Sequence, residues 1–114
     1  MNQTGISQYM AKRVSENITH FDMIKAGIKR GTYDQEILRV METMKLYPRI
    51  PMNTRDIYDL LNFDLMDNPV INRHILWAVL SWLANKGNLK RYTLYDPLKN
   101  YDETYFEYEP RENN

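Results

Sequence analysis

The sequence predicts an α+β domain, mainly helical, in which a three-helix core is closed by a C-terminal two-stranded hairpin and preceded by an extra N-terminal helix. Three observations carry this expectation. Apolar residues recur at three- and four-residue spacing in separate blocks between Ile6 and Leu83, the period of helices buried on one side. From Leu89 to Tyr108 the chain turns to Tyr, Thr and Phe, which suit a pleated surface. Gly31, Pro48, Pro51, Pro69, Gly87 and Pro97 punctuate the blocks. A chain of 114 residues with 43% hydrophobic composition suffices for one compact domain plus one helix, and is too short for a second full domain.

Taken in order, Ile6, Met10, Val14, Ile18, Phe21, Ile24 and Ile28 define an N-terminal extension, residues 1–32, as one helix or two short ones. Gly27 and Gly31 mark a hinge into the main domain, residues 33–109. There the first helix is expected from Asp34 to Tyr47, with Ile37, Val40, Met41 and Met44 on one face. Pro48 and Pro51 stop it and leave Arg49 to Met52 as an edge strand or a turn. Asn53 or Thr54 caps a short second helix, Arg55 to Asn62. Asn68 is a natural cap and Pro69 suits a first helical position, so the third helix is expected over 69–86, closed by Gly87. Strands follow at Leu89–Tyr95 and Thr104–Tyr108 around a loop at 96–101. Residues 110–114 read as a frayed tail.

Fifteen basic and fifteen acidic side chains cancel, which argues against a protein that works by coating nucleic acid. The absence of cysteine excludes disulfides, thiolate zinc sites and a cysteine nucleophile. The longest apolar run, Ile75 to Leu83, is interrupted by Ser81 and falls well short of a membrane span, so no membrane partner is expected. His20 and His74 lack neighbouring ligands at metal spacing, and Asp64 with Asp67 has no glycine-rich or basic phosphate cradle. The chain is therefore read as no enzyme, with no metal and no cofactor.

The order helix, short strand, helix, helix, hairpin over Asp34 to Tyr108 resembles the winged-helix family of helix-turn-helix DNA-binding domains. The stretch Leu76, Val79, Leu80, Leu83, Lys86, Gly87, Leu89, Arg91 carries the resemblance. It implies that helix 69–86 reads the major groove of double-stranded DNA and that a wing at 96–102 touches the backbone. On the helix face away from Leu76, Val79, Leu80 and Leu83 stand His74, Trp77, Ala78, Ser81 and Asn85, with Arg73 alongside. Arg73 is the candidate for guanine O6 and N7, Ser81 or Asn72 for a phosphate, and His74 for either. Lys90, Arg91 and Lys99 are expected on the DNA backbone, with Thr54 and Arg55 at the start of helix two, where amides point at phosphates.

A second apolar stripe, Ile71, Ile75, Ala78 and Trp82, follows a heptad spacing and marks a protein interface. Its expected cover is the N-terminal helix, a twin subunit or a foreign protein. Trp77 lies on neither stripe and is read as packing over the Phe63–Met66 loop or as an anchor of a binding surface. Tyr92 and Leu94 alternate with Arg91, Thr93 and Tyr95, as in a strand with one buried face.

The leading expectation is a non-catalytic, cytoplasmic DNA-binding protein, a transcription regulator dimeric through its N-terminal helix. The alternative is a winged-helix protein-interaction module that does not bind DNA. Nine tyrosines and seven methionines resemble the usage of small phage or viral proteins. A viral source implies action in the host cytoplasm or nucleoid, and a host protein as the partner of the alternative.

Overall fold

The computed structural model describes residues 20–62 and 71–110. The chain divides into two compact units with the boundary between Thr32 and Tyr33. In the first unit helix α1 is described over residues 20–29, with Ile24, Gly27 and Ile28 buried. Gly31 closes it at φ 83°, while Gly31 and Thr32 N–H groups donate to Ile28 and Gly27 carbonyls. That pattern satisfies the last carbonyls of a helix and needs a residue free of the left-handed penalty. Ile6, Met10, Val14 and Ile18 of the expected helix lie outside the described residues.

The second unit is α+β. In chain order it contains α2 (Asp34–Lys45), β1 (Met52–Asn53), α3 (Thr54–Leu61), α4 (Arg73–Asn85), β2 (Lys90–Asp96) and β3 (Tyr101–Glu107). The strands form an antiparallel sheet in the order β1-β3-β2. β1 is an edge strand, Met52 opposite Phe106 and Asn53 opposite Tyr105. Helices α2, α3 and α4 pack on one another. Their core is Val40 and Met44 from α2, Ile57 and Leu61 from α3, and Leu76, Val79, Leu80 and Leu83 from α4, with Met52, Leu89 and Phe106 from the sheet side.

Local chemistry explains most boundaries. Asn53 caps α3, its Oδ1 accepting from the Asp56 N–H at 2.8 Å, while its Nδ2 donates to Glu103 on β3 at 2.8 Å. One side chain thus fixes both a helix start and its distance from the sheet. Asn62 Oδ1 accepts from the Ile71 N–H at 3.0 Å, tying the end of α3 to the approach of α4. Gly87, at φ 84°, ends α4 with the same closure as Gly31: Asn88 N–H donates to Leu83 and Gly87 N–H to Ala84. Substituting Gly87 by Ala is expected to cost about 1–2 kcal/mol in chemical denaturation, the penalty of a Cβ in the left-handed region.

Several expected boundaries are corrected, and α2 ends at Lys45 rather than Tyr47. Helix α4 starts at Arg73, not at residue 69: Asn72 is its cap, accepting from the His74 N–H at 2.8 Å, and Ile71 precedes the helix. Strand β3 starts at Tyr101 rather than Thr104, and β2 runs on to Asp96, so the connection shrinks to residues 97–100. Asn100 takes φ 59° and its N–H donates to the Asp96 carbonyl at 2.8 Å, while Asp96 Oδ1 accepts from Leu98 N–H. The hairpin therefore reaches beyond the helices, and Leu94, expected to be buried, is 52% exposed. Of the expected tail, only Pro110 is described. Among the described residues, no helix is long and apolar enough to cross a membrane.

Candidate nucleic-acid interface

Helix α4 is buried around more than half its circumference and leaves one stripe facing solvent. At one hundred degrees per residue, Leu76, Val79, Leu80 and Leu83 fill the core side. Ala78 is also buried, while Ile75 and Trp82 are half-buried. Arg73, His74, Trp77 and Asn85 remain exposed, with Ser81 half-buried among them. The expected reader face is therefore a real surface of the helix. The expected protein-interface stripe is not a free one: Ile71 and Ala78 are buried, and Lys86 Nζ sits 4.2 Å from the Trp82 ring centroid.

Neighbouring elements meet this stripe along its length. At its start Arg73 lies over the Tyr58 ring, 4.9 Å from the centroid, and with Thr54, Arg55 and Tyr58 it lines an open cavity of about 370 Å³. One turn on, the Trp77 ring meets Phe106 of β3 edge to face, with centroids 6.0 Å apart. Trp77 thus packs on the sheet, and its expected partners Phe63 to Met66 lie outside the described residues. At the far end Arg91 of β2 donates to Asn85 Oδ1 at 3.0 Å. Arg55, Arg73 and Arg91 accordingly flank one continuous strip.

The other expected contacts are placed less favourably for a polyanion. Asn72 uses its side chain to cap α4. Lys90 Nζ is 3.3 Å from Glu109, and Lys99 Nζ is 3.4 Å from Glu103. The bond to Glu103, followed by its charge, raises the Lys99 pKa above the ordinary lysine value. The hairpin face carrying Tyr92 and Tyr105 is acidic. Burial raises both phenols above the ordinary tyrosine value, Tyr92 further through its hydrogen bond to Glu107 and Tyr105 through the charge on Glu103. The two rings stack at 6.3 Å. Toward the hairpin end Leu94, Tyr95, Leu98 and Tyr101 are exposed, Leu98 at 96%.

Tyr58 is the cavity residue that the sequence reading passed over. It stands three residues after Arg55 and four after Thr54, so helical spacing alone puts it on their side of α3. Among the described residues, no group of three or more His, Asp or Glu side chains is arranged to hold a metal ion. Comparison of the chain with protein-family models, curated proteins and solved structures returns no match.

Proposed function

We propose that residues 33–109 are a winged-helix domain that binds double-stranded DNA without catalysing a reaction, as a transcription regulator. The helix, strand, helix, helix, hairpin order and the β1-β3-β2 sheet support the family reading. The observation that carries the binding reading is the cavity where Thr54, Arg55 and Tyr58 of α3 meet Arg73 of α4. A phosphate there would meet two guanidinium groups and the positive end of α3. Arg73 stands at the N-terminal end of the exposed stripe, the part of a reading helix that reaches base edges. The hairpin contributes through Arg91; Lys99 is held by Glu103, and Lys90 faces Glu109 in a solvent-exposed pair.

Titration of random-sequence duplex DNA at low and moderate salt, followed by tryptophan fluorescence, tests this. With about three phosphate contacts, log affinity should fall with log salt at a slope of about −2 to −3. No binding at low salt, or binding indifferent to salt, removes the DNA reading.

A second reading, a protein-interaction module, is favoured by a separate observation. The hairpin exposes Leu94, Tyr95, Leu98 and Tyr101 while pairing its lysines internally. Such a surface suits an apolar contact better than a phosphate backbone.

A further inference from the structure

We propose that β2 is the docking edge for a second copy of this chain, Lys90–Asp96 pairing antiparallel with its own counterpart about a two-fold axis through Thr93. The sheet order places β2 at an edge, with no strand beyond it among the described residues. A sheet edge presents unpaired N–H and C=O groups, and chains that avoid edge pairing guard it with proline, bulges, charged side chains or a covering element; on β2 the charges are Lys90, Arg91 and Asp96, at the strand ends. β2 has no proline, and it runs against β3 without a bulge from Lys90 opposite Glu107 to Asp96 opposite Tyr101. It also exposes apolar surface: Leu94 is 52% and Tyr95 59% exposed.

What selects a second copy as the occupant is the self-complementarity of the strand. Centred on Thr93, antiparallel pairing sets Lys90 opposite the partner's Asp96 and Arg91 opposite the partner's Tyr95. It also sets Tyr92 opposite the partner's Leu94 and Thr93 opposite the partner's Thr93. Each is a favourable cross-strand combination: opposite charges, cation on ring, aromatic on aliphatic, and hydroxyl on hydroxyl. Because the two-fold repeats every pair except the central one, two charge pairs close the ends. Parallel pairing in register would set Lys90 on the partner's Lys90 and Asp96 on the partner's Asp96. A two-residue slip of the antiparallel register gives up both charge pairs, so charge fixes direction and register together.

The present partners of these side chains leave the arrangement open. Lys90 and Glu109 are 59% and 55% exposed at the side chain, so their contact exchanges in water. Asp96 uses Oδ1 for the turn. The result is a continuous six-stranded sheet, β1-β3-β2 followed by the same strands reversed. The two-fold runs through the sheet, so both sets of helices lie on one side of it. The interface shares Arg91 with the proposed DNA contact, and differs from the dimer through the N-terminal helix expected from sequence.

The chain has no cysteine, so single cysteines report contacts without background. Sedimentation equilibrium of the full chain should show a monomer–dimer equilibrium. Thr93→Cys should oxidise to a disulfide-linked dimer, since directly opposed Cβ atoms in an antiparallel pair lie within reach of a disulfide. Met23→Cys, on the exposed side of α1, should not. Lys90→Glu should weaken association about tenfold, by setting like charges opposite one another at both ends. It should also reduce Thr93→Cys crosslinking with the circular dichroism of the fold unchanged. A monomer at all accessible concentrations would overturn the proposal. So would a dimer that crosslinks through Met23→Cys and not through Thr93→Cys.

Discussion

Replacing Phe106 by alanine is expected to lower the unfolding free energy by about 3–5 kcal/mol, the range for deleting a buried aromatic ring. Phe106 is fully buried, stands opposite Met52 on β1 and Arg91 on β2, and receives the Trp77 ring edge to face. Its removal leaves a void where helix and sheet meet, and takes away the edge-to-face contact of the Trp77 ring. Against a total of about 5–15 kcal/mol for a typical domain, such a loss brings the unit near its folding threshold. Guanidinium denaturation followed by tryptophan emission measures it. Phe106→Leu should cost less, because it refills most of the space. A loss below about 1 kcal/mol for the alanine variant would mean that the joint is not closed by this ring.

Arg73→Ala is the functional counterpart, and its expected effect is a loss of about 1–3 kcal/mol for a preferred DNA site, roughly 5- to 150-fold in affinity. Stability should change by about 1 kcal/mol or less, since Arg73 is exposed and its visible contact is a surface cation–ring pair with Tyr58. Site selection from a random duplex pool, then equilibrium titration, reads the difference. Arg73→Ala should relax preference at one base pair, whereas Arg55→Ala should weaken all sequences alike and lower the salt slope by about one. Lys99→Ala should change little, because its ammonium already faces Glu103. Equal losses for Arg73→Ala and Lys99→Ala would move the binding surface from the α4 stripe to the hairpin end.

The fold was legible where local chemistry and packing agree. The start of helix α2 and the Gly87 stop were read directly, the cap of α3 was narrowed to Asn53 or Thr54, and the apolar spacing of Leu76 to Leu83 fixes the buried side of α4. The start of α4 was misread because Asn68–Pro69 and Asn72 are both good helix openings, four residues apart. Local signals cannot rank them, and the bond from Ile71 N–H to Asn62 depends on how α3 and α4 meet. The length of β3 was missed for another reason. Tyr101 and Asp102 are exposed, and a stretch of strand with no buried face has no alternation to display. Ion pairing of Lys90 with Glu109 follows from strand register, which composition does not encode. The exposed stripe of α4, by contrast, was legible as the complement of the core stripe, and Tyr58 was within reach of the same helical arithmetic.

The narrowness of the exposed strip on α4 bears on how such a protein can diverge. Most of that helix answers to its neighbours, so drift at Leu76, Val79, Leu80 or Leu83 is purged by instability before any change in recognition is felt. Positions 73, 81 and 85 are exposed or half-buried, and position 77, exposed as well, meets Phe106 edge to face. Lineages descending from a common ancestor can therefore exchange side chains at these few places while inheriting the frame intact. Sequence variation among descendants should concentrate there, in steps of three and four.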